Sequence, residues 1–142
     1  MPGTLLCEIV TPESILYTNE VQMVVATTTT GEIGVLPLHV PIVATLVPGE
    51  VRLRFGDNST DWEAFSISGG YIEVHEDKVL VLADNAVLIS QIDAARAKES
   101  LELIEARLAE LPAEAEDVRE EMIRDLSWHQ IQLKAAEKHE RR

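Results

Sequence analysis

The feature that most constrains this chain is a change of hydrophobic period near Ile89. Before it, apolar residues alternate with polar ones over short runs bounded by turn residues. Val51, Leu53 and Phe55 alternate with Arg52 and Arg54, and Ile72 and Val74 face away from Tyr71, Glu73 and His75. Period two buries one face of a strand and leaves the other polar. Beyond Ile89 the period is helical. Ala97, Leu101, Ile104, Leu108 and Leu111 are spaced 4, 3, 4, 3 and make one apolar stripe. A chain that switches period once divides into a sheet part and a helix part. The charge shifts at the same place: residues 1–89 carry 12 acids and 3 bases, and residues 90–142 carry 13 and 9.

The expected fold is therefore β followed by α. An antiparallel β-sandwich or barrel spans 1–89, and an antiparallel two-helix hairpin spans 90–142. Leu5–Val10, Val21–Thr27 and Trp62–Ser68 read as strands, with Thr11–Ser14 as a turn. His75–Lys78 reads as a hairpin connection. Lys78–Ala83 reads as the last strand, and its apolar residues on both faces suit a central position or an outer face that carries something. The loop Gly56–Asp61 contains the sequon Asn58-Ser59-Thr60, here a polar turn. In the helical part, Ser90 and Asp93 form a candidate capping box, or Asp93 caps alone. Leu111-Pro112 ends the first helix, because the residue before proline avoids helical backbone. The second helix is expected from Ala113 or Glu114, with a stripe of Ala115, Val118, Met122, Leu126, Leu133 and Ala136.

Gly31 to Leu46, GEIGVLPLHVPIVATL, concentrates the turn chemistry. Gly31 and Gly34 bracket Glu32-Ile33, so the backbone there is free to turn. Pro37 and Pro41 cannot donate to a sheet ladder, so an extended but interrupted path is expected before Ile42–Leu46 resumes as a buried strand. Such a segment is either a core crossover or a docking surface, and read alone Glu32 is an exposed loop-tip acid and His39 a histidine satisfied by backbone groups in a packed turn.

Composition narrows the function. The net charge of −13 opposes binding to nucleic acid or to anionic lipid. The single Cys7 permits no internal disulfide and reads as strand packing. No apolar run nears the roughly 20 residues of a membrane span, and no basic-then-apolar leader opens the sequence. A soluble protein of a reducing, cytoplasmic compartment is expected. Catalytic motifs are missing: there is no phosphate-cradling G-x-x-x-x-G-K, no G-x-S-x-G, and no metal spacing among His39, His75, His129 and His139. A non-enzyme is expected, with no cofactor required and no metal.

Four motifs in order carry a family resemblance. G-E-I-G-V-L-P-x-H-x-P-I (31–42), Gly69-Gly70-Tyr71-Ile72-Glu73-Val74, Val81-Leu82-Ala83-Asp84 and Ile92-Asp93-x-x-Arg96-Ala97 together resemble the epsilon subunit of bacterial F-type ATP synthases. The resemblance implies a sandwich of two five-stranded sheets and a role in the central stalk. It implies the gamma subunit, the c-ring, and the beta and alpha subunits of the catalytic head as partners. The complex would move protons or sodium ions, with this chain peripheral on the cytoplasmic membrane face. Glu32 and His39 would lie at the c-ring or gamma contact.

The I-D-x-x-R-A motif implies, from some members of the family, a regulatory ATP site with Asp93 and Arg96. Val87 and Leu103 stand where ATP-binding relatives often carry an acid and an arginine, so weak binding or none is expected. Arginine suits phosphate because it stays charged and offers a planar fork of donors. The hairpin of the family can restrain ATP hydrolysis by contacting the head, and here Lys134, Lys138, Arg141 and Arg142 are the basic candidates. Two readings from other classes stand beside this one. The first is a free-standing binding module whose hairpin recognises a partner helix. The second is a jelly-roll enzyme, which would need metal ligands along its strands.

Overall fold

The computed structural model describes residues 3–56 and 61–140. Arg141, Arg142 and the 57–60 part of the predicted loop, with its sequon, lie outside the described residues. The chain divides into two compact units, Met1–Leu88 and Ile89–Arg142.

The first unit holds β1 (Leu5–Val10), β2 (Ile15–Val21), β3 (Met23–Thr28), β4 (Gly31–Val35), β5 (Ile42–Arg54), β6 (Trp62–Ile67), β7 (Gly70–His75), β8 (Lys78–Ala83) and β9 (Ala86–Leu88). The long strand β5 belongs to both layers. Its first half pairs with β7 from Ile42 to Leu46, and its second pairs with β6 from Gly49 to Arg54. One layer therefore runs β2-β1-β8-β7-β5, and the other β4-β3-β5-β6-β9. Each has five strands when β5 is counted in both. Pro48 sits in the gap between the two ladders, where no N–H is needed, so a proline inside this strand breaks nothing. Pairing is antiparallel apart from β1 against β8, among the described residues.

Alternation places the core. Leu5, Cys7 and Ile9 of β1, Val51 and Leu53 of β5, Ile72 and Val74 of β7, and Val79 and Val81 of β8 all point inward and are buried. Fully burying each Leu, Ile or Val contributes about 1.5–3 kcal/mol. Across the layers Tyr17 of β2 meets Phe65 of β6 edge to face, with ring centroids 5.3 Å apart. β8 lies between β1 and β7, as its two-sided apolar pattern predicts.

Four expectations need correction. β2 is a strand that the pattern does not announce. It is an edge strand, only Val21 is fully buried, and its other residues read as loop. β9 follows β8, so Lys78–Ala83 is not the last strand. Ile42–Leu46 is only half-buried, since Val43 and Thr45 point outward. Finally, Gly31–Val35 is strand, with the positive φ that glycine permits, 124°, at Gly31 where the strand opens. The reversal is made by Thr29-Thr30, where the Thr28 hydroxyl donates to Gly31 O at 2.7 Å and accepts from Thr30 N at 3.2 Å.

The second unit opens with a 3-10 turn, Ile89–Gln91, followed by α1 (Ala94–Glu110) and α2 (Glu116–Glu140). Asp93 is the N-cap, and its carboxylate accepts from Arg96 N at 3.1 Å. Helix α1 ends at Leu111-Pro112, and α2 begins at Glu116, two residues after the later of the two starts expected, with Glu116 and Asp117 in its first turn. The two helices pack on each other. The inner stripe of α2 includes Met122, Leu126, Leu133 and Ala136, but Val118 is 50% exposed. Arg119 takes the inner position in its place.

Candidate functional site

Each residue singled out by sequence falls on a definite element. Glu32 lies on the outward face of edge strand β4, beside the tight Thr29-Thr30 turn. Cross-strand geometry brings Arg52 of β5 within reach, and Arg52 Nη2 pairs with Glu32 Oε2 at 3.3 Å. The same guanidinium lies over the Trp62 ring, 6.0 Å from its centroid. So an acid, a base and an indole share the outer face of the second layer. Exposed pairs of this kind are worth about 0–1 kcal/mol, which makes the cluster a surface feature more than a brace. Sequence alternation had put Arg52 outward; its pairing with Glu32 is twenty positions away and needed the fold.

His39 follows β4 in the connection to β5. Its backbone N–H donates to Leu36 O at 3.2 Å, closing a turn with Pro37 and Leu38 at its centre. Its ring Nδ1 donates to Val40 O at 2.7 Å, since a carbonyl can only accept. Around it Leu36, Leu38, Val40 and Val43 are exposed. Exposed apolar side chains grouped on one connection are a common mark of a contact surface.

Asp93 and Arg96 are brought together, but through the backbone. The Asp93 carboxylate holds the Arg96 N–H, while the Arg96 side chain is exposed. Val87 is half-buried in β9 and pairs with Ser66, and Leu103 is exposed on α1. Lys134 and Lys138 are exposed on the last turns of α2. Arg141 and Arg142 lie outside the described residues. Among the described residues no cluster of His, Cys, Asp and Glu forms a cage for a metal ion.

Cys7 is fully buried in β1, and burial first, then the Glu8 charge, push its thiol up to about 12. A thiol so protonated is no nucleophile. Burial likewise raises the Tyr17 hydroxyl above the usual phenol range.

Residues 4–89 match the family described as ATP synthase, Delta/Epsilon chain, beta-sandwich domain. The chain is also 41% identical over 117 residues to the ATP synthase epsilon chain of Alkalihalophilus pseudofirmus, covering 82% of this chain and 86% of that one. The chain belongs to the ATP synthase epsilon chain family. A 117-residue match is longer than the sheet unit ending at Leu88, so the likeness to the family extends into the helical unit. The epsilon chain of Brevibacillus brevis is 43% identical over 108 residues, covering 75% of this chain and 80% of its own. Among solved structures, a chain of the Euglena gracilis mitochondrial ATP synthase, in an assembly of OSCP, F1 and c-ring, shares the fold. Its TM-score is 0.68 at 23% identity, covering 98% of this chain and 84% of that one. Among the described residues, no helix is long and apolar enough to cross a membrane.

Proposed function

We propose that this chain is the non-catalytic central-stalk subunit of an F-type ATP synthase, turning with the rotor and joining the c-ring to the catalytic head through the gamma subunit. The observation that carries this reading is the 41% identity to an epsilon chain over most of both chains. The physical build suits the task. A rotor part must transmit torque without deforming, and an aliphatic sandwich packed to interior density is stiff. The Glu32 face and the Leu36–Val43 connection supply the contacts to c-ring and gamma, with His39 among them.

The hairpin is a regulator of hydrolysis, and its charge sets the strength. Glu114 to Asp125 carries six acids against two arginines, so approach to an acidic partner is unfavourable there. Inhibition then rests on the basic end, Lys134, Lys138, Arg141 and Arg142, or is weak. ATP, if it regulates, binds at Asp93 and Arg96. The chain sits peripherally on the cytoplasmic face, held there by the complex, whose coupling ion is a proton or a sodium ion.

Affinity purification of the full chain from detergent-solubilised membranes tests the reading. Recovery of gamma, the ring and the head subunits is expected. Recovery of the chain without any rotary complex would overturn it and favour a free-standing binding module.

A further inference from the structure

Glu32 and Arg52 are joined across a strand that belongs to neither. β3 lies between β4 and β5, so the two backbones are two strand spacings apart, roughly 10 Å. Arg52 stands opposite Val25 of β3, and Val25 stands opposite Gly34 of β4, so Glu32 is one outward step further along the edge strand. Two long side chains close that gap, Arg52 Nη2 meeting Glu32 Oε2 at 3.3 Å. On the far side of β5, Trp62 pairs with Arg54, two residues on from Arg52. The Arg52 guanidinium lies 6.0 Å from the Trp62 ring centroid. A line of contacts from Glu32 through Arg52 to Trp62 therefore crosses four strands on one outward face.

The line adds little to stability, because an ion pair this exposed is well solvated. Its consequence is geometric. A free glutamate on an edge strand samples several rotamers, and ordering it costs entropy. Arg52 holds one carboxylate oxygen and is itself held on an indole face, which suits a planar cation. The ion pair uses Oε2, so Oε1 is the oxygen available to a partner.

Charge alone would not need this arrangement. Residues 1–89 hold three bases, Arg52, Arg54 and Lys78. Arg54 shares the outward face of β5 with Arg52 and makes no ion pair among the described residues. The two arginines thus give this face equal charge, but Arg52 is the one bonded to Glu32.

We propose that Arg52 is a positioning residue, which fixes the Glu32 carboxylate so that Oε1 accepts from a hydrogen-bond donor on the c-ring. The proposal rests on the rotor reading above, in which the Glu32 face supplies a ring contact. Fixing the side chain beforehand removes an ordering cost on docking.

A double-mutant cycle on the full chain tests the claim. Glu32→Ala, Arg52→Ala, the pair together, and Arg54→Ala are each titrated onto rotary complex purified without this chain, and each free chain is melted. Glu32→Ala is expected to bind about tenfold weaker, Arg52→Ala about threefold weaker, and Arg54→Ala within about twofold of the parent. The double variant is expected to bind no weaker than Glu32→Ala, and the melting temperatures to stay close to that of the parent. Parent-like binding of Arg52→Ala would overturn the proposal. Losses that multiply in the double variant would also overturn it, since Arg52 would then touch the partner itself. Equal weakening by Arg54→Ala would replace positioning by the charge of the face. A melting temperature of Arg52→Ala that falls along with its binding would make the role structural; Arg52→Gln repeats the comparison if Arg52→Ala does not fold. Parent-like binding of Glu32→Ala would remove both the ring contact of Glu32 and the proposal, while the rotor reading stands. Failure of the parent chain to bind the complex would instead remove the rotor reading.

Discussion

Arg119, early in α2, reaches back across the helix link and donates from Nη2 to the carbonyls of Leu111 at 3.4 Å and Pro112 at 3.2 Å. The last carbonyls of a helix have no partner within it, and Pro112 prevents α1 from supplying one by continuing. A cation also suits that end of α1. The same cation opposes the dipole of α2 at its start, and its two carbonyl partners offset that. Arg119 thereby ties the two helices at their turn.

Replacing Arg119 with alanine is expected to cost about 1 kcal/mol, felt locally. Amides of the last turn of α1 and the first turn of α2 should exchange faster, while those of the sandwich core stay protected. Unchanged exchange at the link would show that the two bonds carry no weight.

Gly70 and Gly34 predict opposite outcomes for the same change. Gly70 has φ 146, and a Cβ there would collide with the backbone of Leu82 and lie 2.9 Å from Ala83 Cα. Neither neighbour can yield, since Gly70 pairs with Ala83 on one side and Leu46 on the other. Gly70→Ala is expected to cost more than about 4 kcal/mol and leave little folded protein. At Gly34 the nearest atom is the end of the Met23 side chain, at 2.8 Å. Methionine repacks readily, so Gly34→Ala is expected to cost about 1 kcal/mol or less. Chemical denaturation of both variants checks the contrast, and similar midpoints would refute it.

Cys7 makes a prediction about pH. Its folded pKa, about 12, lies above the ordinary value of 9.0. The folded state therefore holds the proton more tightly, and its stability contribution is complete below pH 9 and is lost as pH rises towards 12. Melting temperature is expected to fall across that window, less steeply in Cys7→Ala. Tyr17 is raised too, by burial first and in part by the Cys7 charge, so Tyr17→Phe in both proteins is needed to isolate the thiol. At pH about 8 a disulfide reagent should label native Cys7 only as fast as the chain unfolds. Rapid labelling of folded protein would contradict the burial.

Nucleotide binding at Asp93 and Arg96 is expected to be weak. Asp93 already serves as N-cap through Arg96 N, and the supporting positions Val87 and Leu103 bring no charge. With a dissociation constant above the millimolar range, a few millimolar ATP would raise the melting temperature by only a few degrees at most. Arg96→Ala should abolish that rise while leaving the helix capped. Asp93→Ala should cost about 1 kcal/mol with or without ATP. Tight binding by calorimetry that depends on Arg96 would reverse the expectation.

Sequence alone determined what is local. Alternation fixed the inward faces of β7 and of the second half of β5, because a strand must bury one side. The spacing in α1, its Asp93 cap and its end at Pro112 follow from helix geometry and proline chemistry, which need no distant partner. The family resemblance rested on motifs of the same local kind. Tertiary structure alone decided the rest. β2 is a strand because β1 pairs with it, not because its own pattern requires one. β5 passes through Pro48 because that residue falls between two ladders. Glu32 stands on a strand because the reversal is complete by Gly31, which takes positive φ and accepts from the Thr28 hydroxyl, so β4 can pair with β3. Arg119 turns inward where Val118 was expected, because the carbonyls it serves belong to the other helix. Leu38 takes left-handed backbone at the third position of the Leu36–His39 turn, and its N–H finds an acceptor in Asp77, 39 positions away. For β2, β5 and the Leu38 N–H the deciding energy is a pairing with another segment of the chain, and such pairings leave no period to read.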